Sequence, residues 1–408
     1  MRLRSTGLVF VAALLIAACT GDAPATEAPA TPAPGTPAPG TPAPGTPAPG
    51  TPEPGTPAPG TPAPGTPEPG TPAPGTPGTS DLRIGVVTDV GRLDDASFNQ
   101  FSNQGAVDAA DELGAEHRVI VTQEIADYRT NIDTLISEGF NVIVTIGFLI
   151  GTDTAMAAKD NPDVFFIGVD QGVCVDENGD PDPTFACAGD AVTLLPNYQG
   201  IVFDEAQPGY LVGIIAAHLS ESGVIGSVRG TDVPAVVAFN TGYVNGAMSV
   251  NPDIEVLSVE ADPNPEIGFD NPARGAEIAN QMIDQGADVL FQIAGNTGRG
   301  ALETACDAGI WGIGVDVDQR QSLDLPCIVT SAEKKLQDTV RAAIVSIAEG
   351  SFQAGTVVYN AASDPPAIGI SEYHEHASLI TAEIQADVDE ALAAMQGGEL
   401  DPRATPAP

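Results

Sequence analysis

Lysine is almost missing from this chain: 408 residues contain only Lys159, Lys334 and Lys335. Arginine does not make up the difference. Fifteen basic side chains stand against 55 acidic ones, for a net charge of −40. Residues 1–80 carry Arg2 and Arg4 against Asp22, Glu27, Glu53 and Glu68, so −38 of that charge falls beyond residue 80. So acidic a surface repels phosphate backbones, which sets aside nucleic acid as a partner and argues against polyanionic ligands. A salty or an acidic habitat also selects such charge. Catalytic signatures are missing too. There is no Ser-His-Asp arrangement, no G-x-G-x-x-G fingerprint and no P-loop. No C-x-x-C pair points to zinc, and His374-Glu375-His376 offers two histidines in a polar loop, a pattern usually solvated. The chain is expected to hold no catalytic residue, metal or cofactor.

A long hydrophobic run is lacking as well. The apolar stretch from Gly7 to Ile16 is short of the ~20 residues a spanning helix needs. It follows the basic start Arg2 and Arg4 and leads into Leu14-Leu15-Ile16-Ala17-Ala18-Cys19, the order of a secretory signal. Small residues followed by cysteine resemble the bacterial lipobox, in which that cysteine becomes the new N-terminus and carries lipid. Residues 1–18 are therefore expected to be a lipoprotein signal peptide and Cys19 the lipidation site, with an ordinary cleaved signal as the alternative. The mature chain would then be anchored at the extracytoplasmic face of the cell membrane. After Cys19, residues 24–79 are almost only Thr, Pro, Ala and Gly, with nine Thr-Pro-(Ala/Glu)-Pro-Gly units from Thr31 to Gly75. Proline removes donors and fixes φ, so residues 19–80 read as a lipidated cysteine and a disordered spacer. Its reach lies between about 40 Å as a coil and roughly 140 Å as polyproline II. A glycine period of five excludes collagen, which needs three.

The part able to fold is about 81–400, a length that suits two lobes, followed by a disordered tail at 401–408. Short apolar strands alternate with helices from Leu82 to Val169. The alternation restarts at Gln207 and runs to Val315, which predicts an α/β protein of two doubly wound, Rossmann-like lobes. The first lobe is expected at about 81–203 plus about 330–355. The second is expected at about 204–329 plus the C-terminal segment. Val192–Leu195 reads as strand or crossover, and Gly300–Asp307 as a helix. Four cysteines remain outside the membrane. Of the three possible pairings, Cys174–Cys187 and Cys306–Cys327 close the shortest loops.

In doubly wound sheets ligands bind beyond the carboxyl ends of the strands, so the residues there are the candidates. Asp89 follows the first strand. Phe98 and Asn99 open the next helix, where a ligand would rest, with Asp95 as a cap and plain core as the rival reading of Phe98. Asp170 and Asp316 end the mirrored runs Phe166-Ile167-Gly168-Val169-Asp170 and Ile313-Gly314-Val315-Asp316, one per lobe. Such a pair suits a polyhydroxylated ligand such as a sugar or ribose, and a helix cap is the plain alternative for each. Gly295 lies in a glycine-rich turn that lets a ligand approach the backbone. Lys334, a cation at a strand end in so acidic a chain, could hold ligand oxygens or offset Asp316.

Several blocks together carry a family resemblance. They are Thr88-Asp89, Asp94-Asp95-Ala96-Ser97-Phe98-Asn99-Gln100, Gly147-Phe148, the run ending at Asp170, and Gly268-Phe269-Asp270-Asn271-Pro272. The Gly295 turn, Gly314-Val315-Asp316-Val317-Asp318-Gln319, and Thr330-Ser331 with Lys334 complete the set. In this order, over about 82–350, the chain resembles the basic membrane protein (PnrA-like) lipoproteins, substrate-binding subunits of ABC importers for nucleosides, mostly purine. The resemblance implies a type I periplasmic-binding-protein architecture hinged about a central cleft, working as a monomer with a permease and an ATPase. It implies that Phe98 and Phe269 sandwich the base while Asp89 and Asn99 bond its edge. Asp170, Asp316 and Lys334 would hold the ribose, with Gly295 adding its backbone. The Cys174–Cys187 insert departs from the family pattern directly after Asp170. Other readings on the same scaffold are a sugar-type solute-binding protein, a surface receptor or adhesin, and a nucleoside hydrolase.

Overall fold

The computed structural model describes residues 81–406. The signal segment 1–18, Cys19, the spacer to residue 80 and the last two residues of the tail lie outside them. The chain winds a first sheet through β1 (Arg83–Val87), α1 (Phe98–Leu113), β2 (Glu116–Ile120), α2 (Tyr128–Ser137), β3 (Val142–Ile146) and α3 (Gly151–Asp160). It continues through β4 (Phe165–Val169), the short α4 (Ala191–Leu194) and β5 (Tyr198–Phe203). Strands β3 and β4 are buried along their whole length, which is why they read as unbroken apolar runs. A second sheet follows through α5 (Ala206–Leu219), β6 (Val224–Arg229), α6 (Pro234–Val250), β7 (Glu255–Glu260), α7 (Pro265–Gly268) and α8 (Pro272–Asp284). It is completed by β8 (Val289–Ile293), α9 (Gly295–Ala308), β9 (Trp311–Asp316), α10 (Gln319–Leu323) and β10 (Ile328–Lys334). The return is α11 (Leu336–Glu349), β11 (Gly355–Tyr359), β12 (Ile368–Ile370) and α12 (Ala382–Gln396).

The two sheets have the same winding. The first runs β2-β1-β3-β4-β5-β11 and the second β7-β6-β8-β9-β10-β12. The strand pairs are parallel except β10–β12. Strand order therefore reverses between β1 and β3 and again between β6 and β8, the switch points where such sheets leave a crevice. The chain crosses between lobes after β5, after β10 and after β11, as a hinge requires. The core is continuous across it: Ile84, Val144 and Ile167 of the first sheet share one cluster with Tyr210 and Ile214 of α5 and with Ile384 and Val388 of α12.

The lobe boundaries differ from the sequence expectation. The segment 328–334 is a strand of the second sheet, so the first lobe resumes only at α11, and β11 extends its sheet to Tyr359. Both segments are short strands, and only long-range pairing decides which sheet each joins. Of the segment expected as strand or crossover, Val192–Leu194 lies in the helical turn α4 and Leu195 caps it, with Asp190 accepting from Val192 N. The tail expected to be disordered from 401 is packed at its start. Pro402 is buried, Asn245 donates to its carbonyl at 2.9 Å, and Arg403 pairs with Asp204. The histidine loop is not simply solvated. His374 pairs with Asp318 at 2.7 Å and His376 meets the Pro326 carbonyl at 2.8 Å. Disulfides join Cys174 to Cys187 and Cys306 to Cys327, with Cα separations of 4.8 and 5.1 Å.

Candidate functional site

Strand ends from both lobes open onto one cavity. The first lobe contributes Asp89 after β1, Phe98 and Asn99 on the first turn of α1, Phe148 after β3 and Asp170 after β4. The second contributes Phe269, Gly295 at the start of α9, Asp316 at the end of β9 and Lys334 at the end of β10. All eight residues singled out in the sequence thus line one space. The lobes also touch across it. Ser97 Oγ donates to Asp316 at 2.7 Å, Lys334 Nζ to Asp170 at 2.6 Å, and Ile125 N to Glu266 at 3.2 Å.

Local chemistry sets each side chain. The buried carboxylate of Asp95 accepts from Ser97 N at 2.9 Å, Asn99 N at 2.8 Å and Gln100 N at 3.1 Å, so it caps α1 from two residues before the formal cap position. That pins Phe98 and Asn99 at the cavity wall. Asp89 accepts from Val90 N at 2.7 Å and from the Tyr128 hydroxyl. Its carboxylate lies against Gly147, where a Cβ would fall 1.9 Å from Asp89 Oδ2, so no other residue fits at that strand end. The Phe269 ring lies on Gly230, where a Cβ would come within 2.3 Å of it, and Thr297 N donates to the Phe269 carbonyl at 3.3 Å.

Charge concentrates at one point. Lys334 Nζ is buried, 2.6 Å from Asp170, 3.6 Å from Glu205 and 3.7 Å from Asp316. It also sits 4.8 Å from the Phe98 ring centroid. Burial works against its charge, but Asp170, Asp316 and Glu205 outweigh that and raise its pKa. Burial pushes Glu205 up to about 8 in spite of Lys334, Asp95 up to about 7 in spite of three N–H donors, and Asp89 up to about 6. Asp316 is raised by burial too, with Lys334 opposing. Asp170 and Asp316 share the left-handed backbone, φ 58° and 67°, which is uncommon for residues other than glycine and turns each carboxylate inward at its strand end. Two buried acceptors at the cavity, Asn99 Oδ1 and Asp170 Oδ1, have no protein partner. The site offers aromatic faces, unspent acceptors, the buried cation Lys334 and the more exposed Arg92, surroundings suited to a flat ligand that carries donors and hydroxyls.

Comparison with known proteins agrees with this architecture. Residues 83–390 match the family model described as ABC transporter substrate-binding protein PnrA-like. The chain belongs to the PnrA-like family of ABC transporter substrate-binding proteins. It is 28% identical over 330 residues to the ABC transporter nucleoside-binding protein BmpA of Lactococcus lactis subsp. cremoris, covering 76% of this chain and 87% of that one. It is 29% identical over 264 residues to Basic membrane protein B of Borreliella burgdorferi, covering 64% and 71%. Among solved structures it resembles an ABC transporter solute-binding protein of Aeropyrum pernix, with TM-score 0.68 and 25% identity over 80% of this chain and 94% of that one. Such proteins bind a solute and work with permease and ATPase subunits. Among the described residues no helix is long and apolar enough to cross a membrane.

Some residues of this PnrA-like site were not picked out from the sequence. Glu205 was readable, since Phe203-Asp204-Glu205 puts acid after β5 as Asp170 does after β4. Phe239, buried in the cavity wall, lies mid-helix on α6 and looks like ordinary core. Gly230 follows β6, but only the packed ring of Phe269 explains it. The glycine-rich segment expected as a turn before a helix at Gly300 is itself the first turn of α9, which begins at Gly295 with φ 53°.

Proposed function

We propose that this substrate-binding protein captures a nucleoside, of the purine class, in the cleft between its lobes and delivers it unaltered to an ABC permease. In this reading Phe98 and Phe269 stack on the base from opposite lobes. Asp89 and Asn99 bond its edge, Asp170, Asp316 and Lys334 take the ribose hydroxyls, and Gly295 offers its backbone. Lipid on Cys19 holds the protein at the outer face of the membrane, and the proline spacer sets it off that surface. The observation that carries the reading is the joint presence, around one cavity, of an aromatic ring from each lobe and a buried lysine among three carboxylates. Aromatic stacking suits a heterocycle, and charge-assisted bonds suit vicinal hydroxyls. The nucleoside-binding relative from Lactococcus supports the same class.

Calorimetric titration with adenosine and with adenine tests the assignment of roles. Phe98→Ala is expected to weaken both, by about 1–3 kcal/mol, the usual worth of a base–aromatic stack. Asp316→Ala is expected to weaken adenosine far more than adenine, and equal losses would contradict the ribose role. Gly230→Ala is expected to lower adenosine affinity about tenfold or more by pushing the Phe269 ring out of place, with the Phe98→Ala loss as the yardstick.

A further inference from the structure

Beyond the cavity already described the cleft has an outer compartment. It shares Phe148, Asp170 and Ala235 with the inner one and is walled by Phe185 of the Cys174–Cys187 insert on one side and Val237 of α6 on the other. Among the described residues only five large hydrophobic side chains are exposed, and two of them, Phe185 at 62% and Val237 at 44%, line this compartment. Phe185 also holds a backbone conformation that bulky residues avoid, with φ 55°. The insert keeps it there. The disulfide closes the loop, Asp182 accepts from Thr184 N and Cys187 N at 2.9 Å each, and Phe185 N donates to the Asp182 carbonyl at 3.1 Å. The Phe185 ring stacks on Phe148, with centroids 6.1 Å apart and planes 16° from parallel. An exposed aromatic held in an unfavourable conformation beside a ligand cavity is a reason to look for a role in binding.

Asp170 stands at the doorway between compartments, with Oδ2 on Lys334 and Oδ1 unpartnered. If Asp170, Asp316 and Lys334 hold the vicinal 2′ and 3′ hydroxyls, the 5′ carbon is the position left to carry a group outward. The carboxyls of Asp170 and Glu205 line the compartment and Arg403 there is tied to Asp204, so an anion finds no free cation in it. The geometry points to a second subsite that takes an uncharged apolar or aromatic substituent on the 5′ side of a nucleoside, with Phe185 as its specificity-determining side chain. This inference rests on the nucleoside reading of the inner cavity.

The experiment titrates the purified protein and its Phe185→Ala variant with adenosine and with 5′-O-benzyladenosine. Phe185 is exposed, so the variant is expected to melt with the parent. The parent is expected to bind both compounds, and Phe185→Ala to weaken the benzyl derivative about tenfold while leaving adenosine within about twofold. Phe185→Tyr, which keeps the ring, is expected to restore the benzyl affinity. A Cys174→Ser/Cys187→Ser double variant, which frees the loop, is expected to behave as Phe185→Ala does. A parent that binds adenosine but rejects the benzyl derivative overturns the subsite and leaves the nucleoside reading intact. So does a Phe185→Ala variant that loses both ligands equally, or neither. Failure of adenosine itself to bind overturns the nucleoside reading and the subsite with it.

Discussion

Lys334→Met is expected to destabilise the protein by about 3–5 kcal/mol near pH 8, the cost typical of breaking a buried ion pair on one side. Methionine fills nearly the same volume, so the loss is one of charge. Asp170, Glu205 and Asp316 all lie within 3.7 Å of the ammonium and none keeps another cation within 4 Å. Without it three nearly buried carboxylates face one another, and their cheapest relief is to take up protons. The penalty should therefore shrink at pH 5. Denaturant unfolding of parent and variant at the two pH values measures it. A loss below about 1 kcal/mol at pH 8 would mean that the carboxylates are solvated and the buried cluster is not as described. Adenosine binding should be lost along with the stability.

Stability of the parent itself should fall as pH rises from about 4.5 to about 8. Glu205, Asp95 and Asp89 titrate near 8, 7 and 6, each above the ordinary carboxylate range because burial disfavours the ion. The folded chain therefore holds protons that the unfolded chain has released. Its stability is complete below the unfolded pKa values, declines as pH passes the folded ones, and levels off above them. The decline between pH 5 and pH 8.5 is expected to show as a lower Tm at the higher pH. General repulsion in a domain at −38 acts in the same direction, but salt screens it and does not screen buried groups. At 1 M salt most of the decline should persist in the parent, and Glu205→Gln should remove its uppermost part. A Tm that is flat or rises with pH would contradict the buried carboxyls.

The cavity-lining ends of several strands were legible because a parallel sheet buried on both faces writes its strands as plain apolar runs, and a polar residue such as Asp170 or Asp316 breaks the run at the cavity. Asp170 and Asp316 were readable as a matched pair for that reason, and Phe98 and Asn99 because Asp95 marks the helix start just before them. What the sequence hid was non-local. Whether Ile328–Lys334 or Gly355–Tyr359 completes a given sheet depends on which edge is free, and both read alike as strands. Phe239 is an apolar residue in a helix until the facing lobe is known. Phe185 sits in a polar insert with no periodicity, and its place opposite α6 follows from the disulfide and the three-dimensional course of the loop. Tyr128 touches Asp89 across 39 residues, a contact no local pattern announces.

The roles proposed for Phe98, Phe269 and Lys334 all rest on capture of an intact nucleoside between two rings. Equilibrium dialysis of the purified protein against adenosine, guanosine and inosine, followed by chromatography of the bound fraction, tests it most directly. Saturation is expected at one purine nucleoside per chain, recovered unchanged after prolonged incubation. Absence of saturable binding, or free base appearing in proportion to protein, would contradict it.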